Sequence, residues 1–191
     1  MAKSQAVAEL IQTLDRLDLS YAIGGSFASA TWGKPRHTQD LDISIEIPRS
    51  RVDEFVLALG DSFYIGSNEM EEAYTRRWPY RTFQMLHMTE IFKIDVFLTD
   101  ADEFTKTCFS RKRRAVTPAE IEAWIYSPED TVLQKIRSYE LGNRSSDRQW
   151  NDLVQVIEVQ GEAFDRVYFR EWADKLEIRE LAEEALAEAW D

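Results

Sequence analysis

From Asp40 to Glu46 the chain alternates without a break: Leu41, Ile43 and Ile45 fall on one side, and Asp40, Asp42, Ser44 and Glu46 on the other. Successive side chains of a β-strand point to opposite faces, so this run predicts a strand with one apolar face in a core and one acidic face outside it. Pro48 ends it. Residues two apart on an extended strand stand roughly 7 Å apart on the same face, so Asp40 and Asp42 present two carboxylates together, a repulsion that a cation or buried base must answer. Hard oxygen donors suit Mg2+ or Mn2+, which take one or two protein carboxylates and complete their shell with water and phosphate oxygens. The same pair also fits a solvent-facing acidic strand, so its surroundings decide.

Upstream, the apolar run Tyr21 to Ile23 ends in Gly24-Gly25-Ser26, and Ala28 and Ala30 follow. This predicts a strand, a tight turn and a short helix closed by Gly33 and Pro35. Such a turn brings backbone N–H groups close to a phosphate, at the helix end that favours negative charge. Downstream, Asp95 lies within Lys93-Ile94-Asp95-Val96-Phe97-Leu98, an acid among apolar residues of a β-prone run, where a carboxylate is costly without a partner. Three carboxylates from two strands beside a glycine turn would form a site able to hold two metals and a triphosphate for in-line displacement at phosphorus.

Around these segments, Val7, Leu10, Ile11, Leu14 and Leu17 mark an opening amphipathic helix, and Val52, Phe55, Val56 and Leu59 another that Gly60 stops. Residues 81–88 and 92–98 are expected to pair as a hairpin. Asp100 or Asp102 is expected to cap a helix running to about Arg111. After Pro128 the periodicity is helical, over Val132 to Leu141, Trp150 to Val159, Tyr168 to Leu176 and Leu181 to Trp190. The expected fold class is α/β (α+β), a mixed sheet with flanking helices over residues 1–115 and a helical C-terminal subdomain over 116–191.

The apolar fraction of 44% suits a globular chain of 191 residues. No apolar stretch reaches the roughly 20 residues of a membrane helix, and Lys3, Gln5 and Glu9 interrupt any signal-peptide core, so a cytoplasmic protein without membrane contact is expected. The single Cys108 cannot close an internal disulfide and is expected to be a packed side chain. The net charge of -12 opposes broad phosphate tracking along nucleic acid. Against it stand Arg111, Lys112, Arg113 and Arg114, and more loosely Arg76, Arg77 and Arg81, either solvated surface or a local landing site for phosphates. A Walker loop, an EF-hand and an acyl-transfer triad are excluded, because Lys34 precedes Pro35, the acidic run lacks a central glycine, and neither His37 nor His87 sits in a nucleophile motif.

The segment Gly24-Gly25-Ser26 through Arg36-His37-Thr38-Gln39-Asp40-Leu41-Asp42, with Asp95 on a later strand, resembles the signature of the DNA polymerase β-like nucleotidyltransferase superfamily. Its Arg-x-Thr-x-Asp-x-Asp spelling is similar to the AbiEii/AbiGii-type minimal nucleotidyltransferases, some of which are toxins of toxin-antitoxin pairs. Pro128-Glu129-Asp130 through Lys135, then Asp147 to Leu153, is similar to that group's later motif, so the resemblance spans Tyr21 to Val159. It implies that Asp40, Asp42 and Asp95 hold Mg2+ or Mn2+ and that Asp95 helps deprotonate the acceptor. It implies also that Gly24, Gly25 and Ser26 contact the phosphates of a nucleoside triphosphate, ATP among them. Lys135 would reach the triphosphate, Arg36 is a further phosphate-binding candidate that with Thr38 would brace the turn before the metal strand, and Arg137 is a weaker phosphate candidate. The interval from Asp147 to Asp152 is longer than the group's compact form, a departure that bears on Asp147.

The implied activity is transfer of a nucleoside monophosphate to an acceptor hydroxyl on a transfer RNA end, a protein or a small molecule, with a cognate antitoxin as a further partner. Two rivals use the same residues: a module that only binds nucleotide or protein, and a phosphotransferase attacking the γ phosphate.

Overall fold

The computed structural model describes residues 4–66, 68–75, 81–99 and 102–190. Helix α1 (Ser4–Arg16) leads into strand β1 (Tyr21–Ile23), helix α2 (Gly25–Trp32) and strand β2 (Asp40–Ile45). Helix α3 (Val52–Leu59), strand β3 (Phe63–Ile65), helix α4 (Glu69–Thr75) and the hairpin strands β4 (Thr82–His87) and β5 (Phe92–Leu98) follow. Helix α5 (Glu103–Arg111) and strands β6 (Arg113–Val116) and β7 (Glu122–Ile125) then lead into α6 (Pro128–Leu141), α7 (Asp147–Gln160), α8 (Arg166–Lys175) and α9 (Arg179–Trp190).

The strands form one mixed sheet in the order β3-β4-β5-β2-β1-β7-β6. Strand β2 lies between antiparallel β1 and parallel β5. Its alternation works as the sequence predicts. Leu41, Ile43 and Ile45 join Ile94 and Val96 of β5, Phe83 and Met85 of β4 and the apolar stripe of α1 in one buried cluster. The opposite face carries Asp40, Asp42, Lys93 and Asp95, and its β1 flank packs through Ala22 on a second cluster built from α5 to α9.

The late helices start about one turn before their first apolar residue, because Ser127, Ser146 and Asp165 each accept a backbone N–H three residues on. Asp102 caps α5 in the same way; Asp100 lies outside the described residues, as do Arg76 and Arg77. Strands β3, β6 and β7 and helix α4 are additions to the expected pattern. Residue 115 falls within β6, β7 carries the sheet to Ile125, and helices follow from Pro128. Three- and four-residue strands are too short to display a period of two, and β6 exposes its arginines on the sheet edge. Among the described residues no helix is long and apolar enough to cross a membrane.

Candidate active site

In the parallel ladder of β2 and β5, Asp42 pairs with Asp95 and Asp40 with Lys93. Directly paired residues point to the same face, so all three carboxylates and the lysine share one patch. Thr38, buried before the strand, donates its hydroxyl to the Asp40 carbonyl at 3.2 Å and fixes the entry of β2. Lys93 Nζ lies 2.7 Å from Asp95 Oδ2 and 3.8 Å from Asp40 Oδ2. Burial, then the charges of Asp40 and Asp95, push the Asp42 carboxyl up to about 6, against the pull of Lys135 and Lys93. Lys93 is held above the usual lysine range, first by its hydrogen bond to Asp95.

The glycine turn meets this patch directly. Gly24 N–H donates to the Asp42 carbonyl at 2.9 Å. Gly25 has φ +53°, and a Cβ there would stand 1.8 Å from Asp42 Oδ2, so a side chain and the carboxylate cannot both occupy the space. Ser26, in the first turn of α2, accepts from Arg36 Nη2 at 2.7 Å.

A second set of charges flanks the turn. Arg36 grips Asp152 through Nε at 2.8 Å and Nη2 at 2.6 Å, a two-point guanidinium contact. Lys135, only 8% exposed, donates to Asp152 Oδ2 at 3.0 Å. Burial lowers the Lys135 pKa, and Asp152 opposes that shift. Burial raises the Asp152 carboxyl, but the bonds from Arg36 and the charge of Lys135 outweigh it and hold the group below the usual carboxylate range.

Sequence reasoning passed over Asp152 and Lys93 as site residues. Asp152 shares the buried face of α7 with Val156, four residues on, and an acid in an apolar stripe is a readable signal. Lys93 is two residues from Asp95 on one strand, and alternation alone puts both on one face. Asp147 is exposed at the start of α7; five residues at 100° each turn it well away from Asp152, so it has no place in the site. Arg137, two residues past Lys135, sits over the Phe104 ring at 5.6 Å on another side of α6.

The basic cluster divides between internal contacts and the surface of the sheet edge. Arg111 and Arg113 turn to the fully buried Glu129, at 3.1 and 3.7 Å, and Arg111 stacks on Tyr168 at 3.6 Å. Lys112 donates to Ser20 Oγ and the Tyr21 carbonyl, and Arg114 pairs with Glu122. Of the two readings open for this run, Arg111 with Glu129 and Tyr168 forms a structural clamp, while Arg113 and Arg114 stay at the surface.

The donor set fits a hard divalent ion: oxygen ligands on adjacent strands, with crowded negative charge that a cation would relieve. Among the described residues no three acidic, His or Cys side chains are gathered closely enough to hold such an ion as they stand.

No family model and no curated protein matches the chain. Solved structures do. The lincosamide antibiotic adenylyltransferase LnuA, lincomycin-bound, aligns with TM-score 0.52 and 10% identity over 83% of this chain and 98% of its own. ANT(2″)-Ia in complex with adenylyl-2″-tobramycin gives 0.55 and 14% over 97% and 98%. An antigenic nucleotidyltransferase-like protein from Paracoccidioides brasiliensis gives 0.55 and 15% over 96% and 91%. At these identities the likeness speaks for architecture, and on that ground the chain has the nucleotidyltransferase fold, its three carboxylates standing on adjacent central strands of that sheet.

Proposed function

We propose that the chain is a metal-dependent nucleotidyltransferase that moves a nucleoside monophosphate from a nucleoside triphosphate to the hydroxyl of a small acceptor, releasing pyrophosphate. The observation that carries this reading is the register of β2 on β5, which sets Asp42 beside Asp95 next to the side-chain-free Gly25. Asp40, Asp42 and Asp95 would hold Mg2+ or Mn2+, which when bound neutralises the triphosphate and polarises its phosphorus. Asp95 accepts the acceptor's proton. Gly24, Gly25 and Ser26 offer the start of α2 to the β and γ phosphates, and Lys135, held by Asp152, supplies a fixed positive charge beside them. Arg36 braces the same wall through Ser26 and Asp152.

A small acceptor is supported by charge. The chain carries -12, and each of the cations at 111–114 already has a partner within the protein, which opposes the broad phosphate tracking a polyanionic RNA needs. The names of LnuA and ANT(2″)-Ia point the same way, toward small antibiotic acceptors. An RNA or protein acceptor, and with it a toxin paired with an antitoxin, draws its support from the Arg-x-Thr-x-Asp-x-Asp spelling alone.

The test is incubation with each α-labelled triphosphate, magnesium and fractionated cell extract, beside an Asp40→Ala/Asp42→Ala control. Label is expected in the small-molecule fraction with wild type only. Label in no fraction from any triphosphate refutes the reading; label in RNA or protein refutes the acceptor class.

A further inference from the structure

Lys93 stands where an ion shared by the carboxylates would have to approach them. It faces Asp40 across the ladder, and its ammonium reaches Asp95 at 2.7 Å and Asp40 at 3.8 Å, while no three acidic groups among the described residues converge around a common point. An ammonium and a dication compete for the same oxygens: magnesium binds carboxylate at about 2.0–2.1 Å, close enough that the two cations would repel strongly. The backbone of Lys93 is fixed, since β5 is hydrogen-bonded to β2 on one side and β4 on the other. The side chain is not, because 43% of it is exposed on a four-carbon stem.

We propose that Lys93 is a tethered counter-ion that keeps divalent metal affinity low until a nucleoside triphosphate is present, and then swings from Asp95 and Asp40 to the phosphates. The inference rests on the nucleotidyltransferase reading, which supplies the triphosphate. With Lys93 in place Asp95 and Asp40 already share a resident ammonium, and the lone site is a poor metal trap; a triphosphate offers the ammonium a denser anionic partner and frees the carboxylate oxygens for the ion that arrives with it. Metal and nucleotide thereby enter together, and free metal is not sequestered.

The test is Mn2+ titration of the whole protein, followed by the electron paramagnetic resonance of free Mn2+, with and without a non-hydrolysable triphosphate analogue. Without analogue, Lys93→Met is expected to bind Mn2+ about tenfold or more tighter than wild type. Lys93→Arg, which keeps the charge, is expected to stay weak. The analogue is expected to tighten Mn2+ binding by a larger factor in wild type than in Lys93→Met. Circular dichroism melts confirm that each variant is folded, and Lys93→Gln replaces Lys93→Met if the latter is not. Equal Mn2+ affinity in wild type and Lys93→Met, lost in Asp42→Asn, overturns this proposal and leaves the metal site standing. Mn2+ binding in none of them, or unaffected by Asp42→Asn, overturns the metal reading and this inference with it.

Discussion

At neutral pH the Asp42 carboxylate is ionised against burial and two like charges. Its pKa is near 3.8 in an unfolded chain and about 6 in the fold, so the folded state holds the extra proton between those values. Stability from this group is therefore present below pH 4 and lost as pH rises to 6. In the absence of metal, Asp42→Asn is expected to stabilise the protein by about 1–3 kcal/mol at pH 7, with the gain vanishing near pH 4, in urea unfolding curves. No gain at pH 7 would mean that the crowding is relieved in some other way. Gly25 imposes the complementary restriction. A methyl at this position must displace the Asp42 carboxylate, and Gly25→Ala is expected to lower transfer about 100-fold while circular dichroism stays native.

Elements were legible in proportion to how long their pattern runs. The acidic strand β2 and the long α1 could be read because six or more residues repeat one period, whereas β3 and β7 span three and four residues and carry none. Helix starts were read late, since capping residues such as Ser127 and Ser146 precede the apolar stripe. The role of the basic run at 111–114 stayed open in the sequence because the buried partner of Arg111 and Arg113, Glu129, comes from the next helix rather than from the run's own strand. That clamp fixes the start of α6, whose later turn presents Lys135. Arg111→Ala leaves a fully buried carboxylate short of its closest cation and is expected to cost on the order of 3 kcal/mol in denaturant unfolding. Arg114→Ala breaks an exposed pair and is expected to cost under about 1 kcal/mol. Equal losses would contradict the division between clamp and surface.

At the scale of the whole molecule, one face of the sheet is sealed by the α1 cluster and the other is divided between the α5 to α9 cluster and the acidic patch. Three of the site's carboxylates were evident in the sequence from alternation and spelling, but Lys93, which pairs with Asp95, and Asp152, which holds Arg36 and Lys135, became evident only once strands and helices were brought together. With a charge of -12 and its basic cluster committed, the protein is expected to bind a generic RNA oligonucleotide more weakly than ~100 μM at physiological salt in fluorescence anisotropy. Tighter, salt-sensitive binding would revive RNA as acceptor. The central claim, that Asp40, Asp42 and Asp95 share a divalent ion with a triphosphate, is tested most directly by anomalous scattering from crystals grown with Mn2+ and a non-hydrolysable triphosphate. The account predicts a Mn2+ peak about 2.1 Å from carboxylate oxygens of Asp40 and Asp42, on the side facing Asp95; nucleotide bound with Mn2+ elsewhere, or with none, would contradict it.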